Sequence, residues 1–270
     1  MGTLYVVGTP IGNLEDITQR ALRILREVAL IAAEDTRRTR KLLQHFGIDT
    51  PLISYHQHSR SARREQILRT LQRQDVALVC DAGMPGLSDP GAELIRAALE
   101  RGIPVVPIPG PTAVITALVI SGLPTDRFLY LGFLPRQPSA RRKALEEVAD
   151  LPYTLIVFEA PHRLLESLTD ILAVLGDRPI AVARELTKMY EEVWRGTVSQ
   201  AREHFRDYAP RGEFTLVIGG AEVKETRWDE ERVRREMARL LEEGLSRTEA
   251  ARRVARQSGW PRREIYRMVL

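Results

Sequence analysis

A length of 270 residues allows one large domain or two to three small ones, each with a real core. Hydrophobic content of 44% and charged content of 28% exclude a disordered chain, and the single cysteine, Cys80, excludes an intramolecular disulfide and argues against a Cys-based zinc site. The net charge of +4 tolerates a polyanionic partner without requiring one.

The start, Met1-Gly2-Thr3-Leu4-Tyr5, lacks a basic stretch leading into an apolar core, so no signal peptide is expected. No apolar run approaches the ~20 residues that span a bilayer, and a cytoplasmic location away from any membrane is expected by elimination. Short apolar runs with β-branched residues recur at 4–7, 76–80, 105–108, 128–131, 154–158, 180–183 and 214–218, bounded by Gly and Pro, and each has strand length. Helical patterns lie between many of them. Over 17–28, Ile17, Ala21, Leu25 and Val28 share one face, and 164–175 repeats the pattern through Leu164, Leu168, Ile171 and Leu175. Alternating strands and helices predict an α/β protein with parallel pairing at the start, and the shorter β segments after about Phe128, such as 193–198, predict a mixed sheet there. Boundaries are expected at Ser121-Gly122-Leu123-Pro124 and again where the 214–218 strand gives way to an Arg-rich helical tail. Three domains follow: 1–121, 122–222 and 223–270.

The tail has its own pattern. Val233, Met237, Leu240 and Leu241 form one helical stripe ending at Gly244, and Ser246-Arg247-Thr248-Glu249 has the form of a capping box that starts a second helix. Ser258-Gly259-Trp260 makes a turn, Pro261 suits the first position of a third helix, and the pair fits a helix-turn-helix unit. From Ser246 to Leu270 there are seven arginines against two glutamates, which favours phosphate contact over a solvated cap.

Three Gly/Pro-rich loops follow predicted strands. The first, Gly8-Thr9-Pro10-Ile11-Gly12-Asn13-Leu14, is neither a dinucleotide fingerprint nor a P-loop. The second runs from Asp81 to Gly91 and holds three glycines and two prolines in eleven residues, far more than a turn requires. Such a loop fixes backbone donors and acceptors in set directions, suiting a flat polar ligand; Asp81 is placed to meet a ligand ammonium or hydroxyl, while Asp89 reads as a helix cap. Cys80 itself reads as a small buried filler. The third loop is Pro109-Gly110-Pro111-Thr112-Ala113. All three occupy the strand ends where ligands bind in open α/β sheets.

These loops, with Ala33-Glu34-Asp35-Thr36-Arg37, Phe158-Glu159-Ala160-Pro161-His162-Arg163 and Arg184-Glu185-Leu186-Thr187-Lys188, resemble in their order the tetrapyrrole methylase superfamily, in its branch acting on the ribose of ribosomal RNA. The resemblance covers essentially the whole chain. It implies two α/β domains with an S-adenosylmethionine cleft between them, a helical helix-turn-helix-like appendage, and a cytoplasmic homodimer. The implied acceptor is the 2′-hydroxyl of a cytidine in the decoding region of 16S rRNA, within the 30S subunit. By the same resemblance, cofactor contacts fall on Ile11, Asp81, Met84, Thr112 and Ala113, with Phe158, Phe214 and Thr215 closing the cleft. Tetrapyrrole-modifying members often begin the second loop Gly-Asp-Pro, where this chain has Cys80-Asp81-Ala82.

A ribose hydroxyl is a poor nucleophile, so a carboxylate or His should take its proton. Glu159 and Glu185 are the candidate carboxylates and His162 the alternative base, Pro161 favouring a helix start that puts His162 in its first turn. Arg163 and Lys188 are candidates for orienting substrate, and Arg37, Arg252, Arg253 and Arg262 for RNA phosphates. The plainer reading of Glu159, His162 and Arg163, and of Arg184, Glu185, Lys188 and Glu191, is ion pairing. His56 and His58 share an expected strand face but lack further ligands, so no metal is expected. Two rival readings remain: a small-molecule tetrapyrrole methyltransferase, against which the Arg-rich tail speaks, and a non-enzymatic helix-turn-helix regulator, against which the three loops speak.

Overall fold

Side chains alternating along the first five strands divide between two helical layers, and this alternation builds the first part of the fold. In the computed structural model, which describes residues 1–56, 60–87, 91–206, 211–222 and 228–268, these strands are β1 (Leu4–Val7), β2 (Leu30–Ala33), β3 (Leu52–Ser54), β4 (Val76–Val79) and β5 (Val105–Ile108). They run in the order β3-β2-β4-β1-β5, all parallel. Val7, Ile31, Ala33, Ala77, Val79 and Ile108 pack with α1 (Gln19–Glu27) and α2 (Thr36–His45). Leu4, Ala32, Ile53, Val76 and Leu78 pack with α3 (Arg60–Leu71) and α4 (Gly91–Glu100). The Thr18 hydroxyl and Asp35 carboxylate accept backbone N–H bonds at the starts of α1 and α2, which fixes where each helix leaves its loop.

The second sheet is mixed, as its shorter connections predict. It contains β6 (Phe128–Phe133), β7 (Thr154–Glu159), β8 (Pro179–Arg184), β9 (Glu192–Thr197) and β10 (Phe214–Ile218), in the order β6-β7-β10-β8-β9. Only β6 and β7 are parallel. Leu155, Val157, Ile180, Val182, Leu216 and Ile218 form a core with α6 (Pro138–Glu146), α7 (Leu164–Leu175) and α8 (Val198–His204). The other face, through Ile156, Ala181, Ala183 and Val217, is covered by α5 (Ala113–Ser121). Thus α5 follows the last strand of the first sheet but packs on the second. Strand β6 runs two residues past its expected end, with a bulge shifting its register between Tyr130 and Gly132, Gly132 at φ 68°, and pairing continuing through Phe133.

Between α6 and α7 the Arg141 side chain is 2% exposed and donates from Nε to Asp170 Oδ2 at 2.6 Å, while Arg142 Nε reaches Asp170 Oδ1 at 2.8 Å. His56 lies beyond the end of β3 rather than on a strand, and its expected companion His58 is outside the described residues, as are Ser88, Asp89 and Pro90. Among the described residues no group of three His, Cys, Asp or Glu is placed to hold a metal, and no helix is long and apolar enough to cross a membrane.

Both sheets belong to one compact unit, Met1–Ala221, and a second unit spans Glu222–Leu270. The second contains α9 (Glu230–Glu242), α10 (Arg247–Ser258) and α11 (Arg262–Met268) around Val233, Met237, Leu240, Ala250, Ala251, Val254 and Ile265. The Ser246–Glu249 capping box forms as its sequence predicts. Gly259 ends α10 at φ 65°, where an L side chain would be strained. Pro261 stands one residue before α11, its carbonyl accepting from Glu264 and Ile265, rather than occupying the first helical position.

Candidate active site

The three Gly/Pro loops converge because their backbones lock to one another. Thr9 and Gly83 exchange two backbone hydrogen bonds of 2.9 and 3.1 Å, joining the first loop to the second, and the Thr9 hydroxyl donates to Cys80 O at 3.2 Å. Gly8 and Gly110 join the first loop to the third: a Cβ on Gly8 would stand 2.7 Å from Gly110 Cα and 2.7 Å from Met84 Sδ. No real Cβ tolerates that approach, so glycine is required there by packing. Gly83, at φ 81°, is required for a different reason, its backbone angle.

These loops form one wall of a cavity of about 440 Å³, within the range that holds small ligands. Ile11, Asp81, Met84, Thr112 and Ala113 line it from the first sheet, and Phe158, Phe214 and Thr215 from the second. All eight residues named from the sequence for cofactor contact therefore border the same space. Register explains the far wall: Phe158 pairs with Thr215, and Glu159 with Phe214, across antiparallel β7 and β10. Thr112 precedes α5 without using its hydroxyl as a cap, which leaves that group for the cavity. The β6 bulge adds a residue that sequence periodicity missed, since it brings Phe133 beside Phe158 at a ring separation of 5.6 Å and into the lining.

Glu34, Arg38, Leu186 and Glu213 also line the cavity and were not singled out as site residues from sequence. The available signal for Glu34 and Arg38 was their place just after β2, at the same sheet edge as the loops. Asp81 ties this corner together. Its Oδ1 accepts from Asp35 N at 3.0 Å, its own N–H donates to Glu34 Oε2 at 3.3 Å, and Arg38 stands 3.4 Å from Oδ2.

The structure treats the candidate bases differently. Glu159 borders the cavity, yet its side chain is fully buried: Oε1 accepts from Ala160 N at 2.8 Å, Oε2 from the Ser167 hydroxyl, and Arg163 Nε lies 3.4 Å away. Arg163, also largely buried, donates to Leu134 O at 2.7 Å and Pro135 O at 3.1 Å, so it pins the end of β6 to the start of α7. For this pair the structure matches the ion-pair reading. His162 is exposed beside cavity-lining Pro161, in a short 3₁₀ turn over Pro161–Arg163, and is not itself in the lining.

Glu185 stands outside the lining as well. Its Oε1 accepts from Lys188 Nζ at 2.8 Å and Glu213 N at 2.9 Å, and Lys188 also reaches Glu213 at 3.0 Å. Burial opposes the charge on each partner, but these bonds outweigh it, holding the Glu185 carboxyl below its usual range and the Lys188 ammonium above its own. Arg37 is highly exposed but folds back onto Asp35 at 2.9 Å, and with its own backbone N–H it lowers the Asp35 carboxyl to about 2. Arg252, Arg253 and Arg262 are exposed on the second unit.

Residues 3–202 match the family described as tetrapyrrole (corrin/porphyrin) methylases. Along the whole chain, the sequence is 51% identical to the protein named ribosomal RNA small subunit methyltransferase I of Synechocystis, covering 98% of that relative. It is 48% identical, over 98% of the chain and 93% of the relative, to the protein of the same name from Halalkalibacterium halodurans. Among solved structures, uroporphyrin-III C-methyltransferase from Thermus thermophilus, complexed with S-adenosyl homocysteine, aligns with a TM-score of 0.57 at 22% identity. That alignment covers 81% of this chain and 97% of the other.

Proposed function

The chain belongs to the tetrapyrrole methylase family, among the relatives named ribosomal RNA small subunit methyltransferase I, and from that premise we propose that it methylates the ribose 2′-hydroxyl of a cytidine in the decoding region of 16S rRNA, with S-adenosylmethionine as donor. The observation that carries this reading is the meeting of eight residues from both sheets around one cavity of about 440 Å³.

The cavity suits the donor chemically. Ile11, Met84, Phe158 and Phe214 offer apolar surface to an adenine ring, while Asp81 and the Thr112 and Thr215 hydroxyls offer partners for ribose hydroxyls and an ammonium group. When bound, S-adenosylmethionine supplies an electrophilic methyl group on a sulfonium. The chain's task is to hold the acceptor oxygen in line with that group and to take its proton.

His162 is the best-placed of the three candidate bases, being exposed at the rim and without a hydrogen bond among the described residues. We assign Glu159 and Arg163 a positioning role: they anchor Phe158 and the end of β6 through Ala160, Ser167, Leu134 and Pro135. Glu185 and Lys188 hold the 185–188 turn, whose Leu186 shares a cluster with Ile11 and in which Glu185 and Thr187 take positive φ angles of 50° and 65°. Exposed Arg37, Arg252, Arg253 and Arg262 are contacts for RNA phosphate. A cytoplasmic homodimer acting on the 30S subunit completes the proposal. The exposed apolar pair Ile115 and Val119, one turn apart on α5, supports self-association.

Transfer of a tritiated methyl group to 30S subunits from cells lacking the modification, followed by mapping of the labelled nucleotide, tests this function. Label on a cytidine 2′-oxygen of 16S rRNA is the expected result. Label on a base, or on no RNA at all, refutes it.

A further inference from the structure

The arginines of α9 and α11 differ in a way that composition does not separate. On α9 two of them are paired locally: Arg234 meets Glu230 at 3.5 Å and Arg239 bridges Glu236 and Glu243, while Arg232 stacks over Trp228 at 4.3 Å. On α11, Arg262, Arg263 and Arg267 form no ion pair among the described residues, and with Tyr266 they line a shallow surface depression. Spacings of three and four residues bring these side chains onto one helical face. The opposite face is anchored by Ile265, which is wholly buried. Trp260, held through Nε1 by Trp228 O, fixes the turn that launches the helix. Tyr266 is 39% exposed although the other large apolar groups among the unit's described residues are buried or packed against its core.

Three unneutralised guanidinium groups around a presented aromatic ring complement a nucleic-acid strand: cations for successive phosphates and a ring face for a base. A duplex keeps its bases stacked internally and gives Tyr266 no face to meet, whereas a single strand does. We propose that this face of α11 captures a single-stranded RNA segment, with one base stacked on Tyr266 and the flanking phosphates held by Arg262, Arg263 and Arg267. The proposal rests on the rRNA reading above only for the identity of the strand.

The test uses the full chain with a fluorescent single-stranded RNA oligonucleotide and its duplex, followed by anisotropy across a salt series. Tyr266→Ala should weaken single-strand binding about tenfold and Tyr266→Phe less than twofold, because stacking needs the ring and not the hydroxyl. Replacing the three arginines by Gln should reduce the slope of log affinity against log salt by about 2, at roughly 0.7 per phosphate contact on a single strand. Unchanged affinity of Tyr266→Ala overturns the stacking assignment, and duplex binding as tight as single-strand binding overturns it equally. Methyl transfer to 30S by the wild-type chain is measured in parallel. Transfer with a Tyr266-independent affinity refutes this inference and leaves the function intact; no transfer with a Tyr266-dependent affinity does the reverse.

Discussion

Glu159→Gln separates a positioning carboxylate from a catalytic base. The substitution preserves size but removes the charge facing Arg163, and it turns an amide NH₂ toward either Ala160 N–H or Ser167. Keeping the Ala160 bond forces the Ser167 hydroxyl to accept where it now donates. Breaking a buried ion pair costs about 3–5 kcal/mol, and hydrogen bonds to charged groups are worth about 1.5–3 kcal/mol. The Arg163 contact is long, at 3.4 Å, and that side chain keeps 12% exposure and two carbonyl partners, so the lower end applies, about 3 kcal/mol. For a unit of this size, about 2–4 °C per kcal/mol gives a fall in Tm of roughly 6–12 °C. Calorimetry measures the midpoint, and single-turnover methyl transfer to 30S well below it measures the chemistry. The expected result is a lowered Tm with a transfer rate within about threefold of wild type, whereas His162→Ala should lose about a hundredfold in rate with Tm nearly unchanged. A hundredfold slower Glu159→Gln variant with an unmoved Tm would refute the positioning role and make Glu159 the base.

Gly8→Ala should weaken S-adenosylmethionine binding by more than about tenfold, since the new Cβ must push apart the first and third loops; calorimetric affinity equal to wild type would place the donor elsewhere. The Asp170 carboxyl is raised by burial, but bonds from Arg142 and Arg141 outweigh this and hold it below its usual value of 3.8. Its contribution to stability is therefore present above that value and lost as pH falls through the lower folded value. Asp170→Asn should flatten the acid limb of the stability–pH curve below about pH 4, and an unaltered limb in urea titrations would discount the pair. Removing residues 222–270 should leave donor affinity intact and make the salt dependence of RNA binding shallower; an unchanged slope by anisotropy would mean that the second unit only caps the fold.

Local signals in the sequence were enough for the strand–helix alternation, the mixed character of the second sheet, the Ser246–Glu249 cap and the three loops. Each depends on a few neighbouring residues, through side-chain periodicity, a capping hydroxyl, or glycine and proline density. The eight cavity residues were legible through the order of motifs, not through spacing, because Ile11 and Thr215 stand some two hundred positions apart and nothing local joins them. Only the tertiary structure decided the rest. It put α5 on the second sheet, which its all-round apolar sequence left open, and it used a bulge to carry Phe133 past its expected parity into the cavity. It also committed Glu159, at the end of β7, to Ser167 and Arg163 while leaving His162 exposed three residues further on, in the following 3₁₀ turn. A carboxylate's role depends on which donors reach it and whether water does, and both are set by packing between segments that the chain brings together only on folding.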